Sequence, residues 1–226
     1  MKLSERSYST KSVRPRPTIY AEPDGSLLVI TTSWGDTDLA GRVNEDIAKY
    51  VQAAVADVEV TSPFEFLTCL SDEANYLRVA LLIANDSIYR GDNRGEYAGG
   101  VETLVLFQRD NKLAFAQVGS PNLLIQKRGM GLAPVSVSYE ASHELSSSFE
   151  TYPPLPQQLL GVDPTLNIRS GELRIDDEDR LLVYSGAFWP QSMWSATENG
   201  DDLHQVTQKI VQKSPDAPFW LGLVGF

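Results

Sequence analysis

Residues 17–33 carry two short apolar runs separated by turn chemistry. Thr18-Ile19-Tyr20-Ala21 favours a strand. Pro23-Asp24-Gly25-Ser26 favours a turn in which Gly25 can take positive φ, and Leu27-Leu28-Val29-Ile30-Thr31-Thr32 reads as a strand covered on both faces. The period then changes. Leu39, Val43, Ile47, Val51 and Val55 recur every four residues, with Ala40, Ala48 and Ala54 beside them, which predicts one apolar stripe on a helix. Asp36, Thr37 and Asp38 suit its cap and first turn. A second helix is predicted over 64–89, with Leu67, Leu70, Ala74, Leu77, Leu81 and Ile88 along one face. Arg90 to Gly95 is a polar break, read as a solvated loop. From Gly99 onward the pattern is that of strands. Val101–Gln108 and Leu113–Val118 form a hairpin about Asp110-Asn111, followed by Leu123–Ile125, Pro134–Tyr139, Leu173–Ile175, Arg180–Tyr184 and Phe219–Val224. A long Ser-, Pro- and Gln-rich loop spans 140–170, and Leu203–Lys213 is an amphipathic helix. Two consecutive helices followed by meandering strands predict an α+β fold with antiparallel sheets.

Composition narrows the function classes. The chain has 226 residues, 42% hydrophobic and 22% charged, enough to bury a sizeable core without disulfides or metals. A net charge of −11 argues against a nucleic-acid binder and against docking on anionic lipid. Residues 1–16 run the other way: Lys2, Arg6, Lys11, Arg14 and Arg16 stand against Glu5, a net of +4 that leaves −15 for the remainder. This predicts a basic N-terminal tail over 1–16 and a single domain over 17–226. The one cysteine, Cys69, excludes an intrachain disulfide and is expected as a buried small hydrophobe. The longest apolar run, Val79 to Ala84, falls far short of the ~20 residues of a membrane span. The N-terminus has no signal-peptide core, so a cytoplasmic location is expected.

Most catalytic signatures fail. His143-Glu144-Leu145-Ser146-Ser147 starts like a zinc-peptidase helix but has Ser147 where the second histidine must stand. His143 and His204 are the only histidines, which excludes a multi-histidine metal site. Gly129-Met130-Gly131 lacks the third glycine of a dinucleotide loop. The acidic run Asp176-Asp177-Glu178-Asp179 lacks the spacing of a calcium loop and reads as a solvated turn. Phe188-Trp189-Pro190-Gln191-Ser192-Met193-Trp194 is aromatic-rich and suits either an interface or a plug at the end of the core.

One pattern extends over roughly residues 10–226. Ala98-Gly99-Gly100-Val101-Glu102-Thr103-Leu104-Val105 is a glycine-and-threonine strand entry. Ala116-Gln117-Val118-Gly119-Ser120-Pro121-Asn122-Leu123-Leu124-Ile125-Gln126-Lys127-Arg128-Gly129 is a strand, a Gly-Ser corner and a strand ending in a basic turn. With two helices upstream and Ala40-Gly41 in the first, this order resembles the metal-dependent Ser/Thr protein phosphatases of the 2C (PPM) type. The resemblance implies a four-layer α/β/β/α sandwich of two antiparallel sheets flanked by helices.

It also implies two Mg²⁺ or Mn²⁺ ions held by aspartates and activating a bridging water. The implied acidic positions fall on Thr32 or Ser33, on Gly186-Ala187 after the 180–184 strand, on Ser120, and on Asp216. Only Asp216 is acidic. Arg14, in Arg14-Pro15-Arg16-Pro17, falls on the family's phosphate-gripping arginine. Mg²⁺ demands charged oxygen ligands near octahedral geometry, and one carboxylate cannot hold two dications. The expectation is a degenerate, catalytically inactive phosphatase-like protein acting as a binding or regulatory module for a protein or phosphoprotein, with no cofactor. The alternatives are a divergent phosphatase that uses Mg²⁺ or Mn²⁺ on Asp216 with Asp36 or Asp38, and a structural or assembly subunit.

Overall fold

The computed structural model describes residues 1–9, 14–35, 38–56, 62–141, 154–186, 193–194 and 202–226. His143, Asp36 and the 188–192 part of the aromatic segment lie outside them. Chain contacts divide the molecule into two units: residues 1–16, 120–157 and 176–226, and residues 17–119 and 158–175.

The second unit holds strands β2 (Thr18–Ala21) and β3 (Leu27–Gly35) and helices α1 (Ala40–Ala56) and α2 (Asp72–Ser87). It continues through β4 (Gly99–Arg109) and β5 (Lys112–Val118) to β8 (Arg169–Arg174), the eighth strand of the chain. Its antiparallel sheet runs β2-β3-β4-β5-β8. Leu27 through Thr32 are all buried, as a continuous apolar run requires. On one face Leu27, Val29, Val105 and Ala116 pack with the α1 stripe Val43, Ile47 and Val51 and with Leu77 and Leu81 of α2. The α1 period is therefore the period of a buried face.

Several boundaries differ from the sequence reading. α2 starts at Asp72 and not near residue 64. Ser71 Oγ caps it by accepting the Ala74 amide at 3.3 Å, and Asp72 and Glu73 fill an acidic first turn that suits the helix dipole. The Asn75 side chain then binds both the amide and the carbonyl of Leu67, at 2.8 and 3.0 Å, and holds the preceding segment out of the helix. Cys69 sits in that segment and is exposed, not buried. The Arg90-Gly91-Asp92 stretch is no open loop: Ile88–Asp92 forms a π-helical turn continuing α2.

The first unit holds β1 (Lys2–Tyr8), β6 (Asn122–Gln126), β7 (Leu132–Ser136), β9 (Arg180–Gly186), α3 (Leu203–Lys213) and β10 (Phe219–Gly225). Its antiparallel sheet runs β1-β10-β9-β6-β7. Residues 2–8 thus correct the expected N-terminal tail: they pair with the whole of β10, Lys2 opposite Gly225 and Tyr8 opposite Phe219. The basic residues hid an alternating strand in which Leu3, Glu5 and Tyr8 are half-buried. Glu5 accepts from the Trp220 indole at 2.6 Å, and Tyr8 Oη donates to the Pro215 carbonyl at 2.8 Å. α3 carries a capping box between Asp202 and Gln205 and lays Val206 and Ile210 over Leu182, Phe219 and Leu221.

The acidic run before β9 is also only partly the solvated turn expected. Asp179 is buried and accepts from Lys127 Nζ at 2.7 Å and the Asp176 amide at 3.0 Å. Burial pushes its carboxyl up, but Lys127 and the backbone donors outweigh this and leave it below the ordinary carboxylate value. A depressed folded value stabilises above the unfolded value of about 3.9, and that stability is lost as pH falls through the folded value. Asp179→Asn is therefore expected to lower the urea midpoint at pH 7 and to flatten its decline on acidification below about pH 4.

Taken together, the described residues form an α+β fold of two antiparallel five-stranded sheets with three helices.

Candidate functional site

In the first unit the site is built at the ends of strands. β9 finishes Tyr184-Ser185-Gly186, paired with β10 so that Gly186 faces Phe219. The Ser120-Pro121 corner leads into β6, which pairs with the other side of β9. These strand ends bring Ser120 and Ser185 to Arg14, and a residue that sequence reasoning passed over, Glu140, joins them.

Arg14 is buried and its donors are engaged. Nε donates to Ser185 Oγ at 2.8 Å. Nη1 and Nη2 donate to the two oxygens of Glu140 at 3.2 and 2.9 Å, a bidentate fork. Nη2 also lies 3.5 Å from Ser120 Oγ. Glu140 is equally buried and receives the Leu155 amide at 3.3 Å. The Tyr184 phenol beside them is fully buried. Burial drives its ionisation far above the ordinary value, Arg14 lowers it and Glu140 raises it. The cluster is thus a dry site in which one cation and one carboxylate neutralise each other. The signal for Glu140 in the sequence was thin: a single acid among polar residues at the mouth of a long loop.

Gly186, one of the implied ligand positions, has no room for a side chain. A Cβ there would lie 2.2 Å from Tyr184 Oη, closer than real Cβ contacts come. Asp216 is exposed, just ahead of β10.

In the second unit Ser33 serves the fold. Its Oγ accepts the amides of Leu39 and Ala40 at 3.1 and 2.9 Å and donates to Asp38 at 3.0 Å. Asp38 accepts the Ala40 amide as well, at 3.2 Å, so both side chains finish the N-terminus of α1. Thr32 is buried beside this turn. One carboxylate of this unit escaped notice as a site residue: Glu102, buried on β4, accepts the Trp34 indole at 3.0 Å. Gly119, at φ +68°, closes on it so tightly that a Cβ would meet Glu102 at 2.6 Å.

The resemblance implies two hard dications. The positions named offer a hydroxyl used as a helix cap, a glycine without space, a hydroxyl beside a guanidinium and one exposed carboxylate. Among the described residues no three His, Cys, Asp or Glu side chains converge. This donor set does not fit a pair of Mg²⁺ or Mn²⁺ ions.

No protein-family model and no curated protein matches the chain. Solved structures do match over its full length. One described as "PppA, a key regulatory component of T6SS in Pseudomonas aeruginosa" is 16% identical, covers 100% of this chain and 97% of its own, and has a TM-score of 0.61. The PPM Ser-Thr phosphatase MsPP from Mycobacterium smegmatis, in complex with cacodylate, is 12% identical, with 100% and 98% covered and a TM-score of 0.60. The serine/threonine phosphatase Stp1 from Staphylococcus aureus is 12% identical, with 100% and 94% covered and a TM-score of 0.65. The chain has the fold of the PPM phosphatases.

Proposed function

We propose that this chain, built on the PPM phosphatase fold, is a catalytically inactive phosphatase-like protein that works as a binding or regulatory module for a protein or phosphoprotein. The observation that carries the reading is the fate of the implied acids: Ser33, Gly186 and Ser120 are uncharged, and only Asp216 keeps a carboxylate. Without the two ions no water would be acidified and the Lewis-acid stabilisation of charge on the phosphoryl oxygens would be missing. The solved structure described as a regulatory component of T6SS shows that this fold occurs in regulatory proteins. Against a rearranged metal site stands the employment of Asp38, which caps α1. Against the aromatic segment as a contact stands Met193, which is buried in the core of the first unit, while Trp194 is half-exposed. Among the described residues no helix is long and apolar enough to cross a membrane.

The test is turnover of p-nitrophenyl phosphate and of a phosphoserine peptide with millimolar Mn²⁺ or Mg²⁺. The expected result is no release of phosphate above the protein-free rate. Release that depends on the metal and survives repurification overturns the reading.

A further inference from the structure

We propose that residues 64–70, with Tyr76 of α2, form a preformed docking knob for a partner surface that is apolar and bordered by lysine or arginine, the pattern of a basic amphipathic helix. The knob lies within the second unit, and the inference does not depend on whether the chain hydrolyses phosphate.

The segment shows apolar side chains to water. Phe66 and Leu67 are each 39% exposed, Thr68 and Cys69 beside them are exposed, and Phe64, Leu70 and Tyr76 are half-buried. A single exposed apolar residue is ordinary, but adjoining ones bordered by charge mark interaction sites. Phe66 meets Tyr76 edge to face, ring centroids 5.7 Å apart, so the two aromatics make one surface. Leu70 packs against the core of the unit and roots the segment there.

The backbone beneath these side chains is firmly held. Asn75, 2% exposed, accepts the Leu67 amide at 2.8 Å and donates to the Leu67 carbonyl at 3.0 Å. Arg78 Nη1 donates to the Glu65 carbonyl at 2.9 Å. Ser62 Oγ accepts the Phe64 amide at 3.1 Å and donates to its carbonyl at 2.7 Å, and the Leu70 amide closes on the Leu67 carbonyl at 3.1 Å. The chain is thus fixed at Phe64, Glu65, Leu67 and Leu70, while Phe66 and Leu67 turn outward. A surface ordered before its partner arrives avoids the entropy cost of ordering a loop on binding. Aromatic and large aliphatic anchors in such a setting carry most of the energy of an interface.

Charge selects the partner. Residues 62–78 hold Glu65, Asp72 and Glu73 against Arg78, a net of −2, in a chain of net −11. Glu65 and Asp72 are exposed, and Glu73 pairs with Arg109. A second copy meeting the knob about a two-fold axis would set these acids against their own kind, so the fit is to a cationic border.

The experiment titrates a fluorescent leucine–lysine helix of about 18 residues, long enough to hold a helix alone, with wild type, Phe66→Ser/Leu67→Ser and Glu65→Gln/Asp72→Asn in buffer free of metal and phosphate. The leucine–glutamate counterpart is the control, and anisotropy is the readout. Cys69, the only cysteine, gives a second readout, because its alkylation by iodoacetamide slows when the knob is covered. The expected result is saturable binding to wild type, at least about tenfold weaker in Phe66→Ser/Leu67→Ser, weaker in the acid variant and at high salt, with Cys69 alkylation slowed several-fold and no binding of the leucine–glutamate helix. Both variants are expected to melt with wild type, since the altered side chains are exposed. Absence of binding, equal binding by Phe66→Ser/Leu67→Ser, or alkylation that the bound helix leaves unchanged overturns the proposal. A wild-type dimer in light scattering that Phe66→Ser/Leu67→Ser breaks would assign the knob to a second copy, and a marked fall in that variant's Tm would assign both side chains to the core; either result overturns it as well.

Discussion

Arg14→Ala is expected to destabilise the protein by about 3–5 kcal/mol, because it removes the guanidinium that neutralises the buried Glu140 carboxylate in a dry site. Glu140→Ala is expected to cost a similar amount for the opposite reason: a buried guanidinium keeps only the two serine hydroxyls. The pair is costly to break and of little net worth to keep, since desolvation of both charges cancels most of their attraction. Replacing both at once, as in Arg14→Met/Glu140→Leu, is therefore expected to recover most of the loss. Urea denaturation of the four proteins closes a double-mutant cycle. A coupling energy near zero would mean that the two charges are separately solvated, and the described geometry would be wrong.

Gly186→Asp is expected to fail as a repair. An aspartate at this position is what the resemblance asks for, yet its Cβ would fall 2.2 Å from the Tyr184 hydroxyl. Tyr184 is wholly buried among Leu182, Phe219 and their neighbours, so its ring would have to be displaced within a packed core. Overpacking of this kind costs about 1–3 kcal/mol, and a charged carboxylate placed against the buried Tyr184 adds the cost of taking that charge out of water. A loss of roughly 3 kcal/mol or more in urea denaturation is expected, without any gain of Mn²⁺ affinity in titration. Gly186→Ala isolates the steric share and is expected at about 1–3 kcal/mol. Wild-type stability in Gly186→Asp would show that Tyr184 yields and that the position can hold a carboxylate.

Where the hydrophobic period is long and unbroken, the sequence announced the structure. The α1 stripe from Leu39 to Val55, the β3 run and the Asp110-Asn111 hairpin stand within a few residues of their predicted places, because burial of one face dictates the spacing. Leu203–Lys213 is matched at both ends, since Asp202 and Gln205 write its cap into the chain. Elsewhere long-range partners decided. Lys2–Tyr8 has too much charge to read as a strand and becomes one only by pairing with β10 at the far end of the chain. The start of α2 was settled by Asn75, whose side chain holds the preceding loop, and no local apolar pattern reports such a contact.

At the site, the positions without acids were readable one by one, but what replaced them was not. That Glu140 meets Arg14 is a fact of tertiary approach between residues 126 apart in the chain, while that Ser33 caps a helix and that Tyr184 fills the space at Gly186 depend on how nearby side chains turn once the strand ends are set. Glu102 shows the same blindness: it was visible as a letter in a strand entry, and only the fold shows it buried against Trp34 and Gly119.

The most direct measurement is isothermal titration of Mn²⁺ into the metal-stripped protein. The account predicts no saturable heat up to millimolar metal, because the positions that would hold the ions offer one exposed carboxylate, two engaged hydroxyls and a glycine. Saturable binding in the micromolar range would contradict it, and would mean that a working set of acids has formed around the metals by a route other than the implied positions.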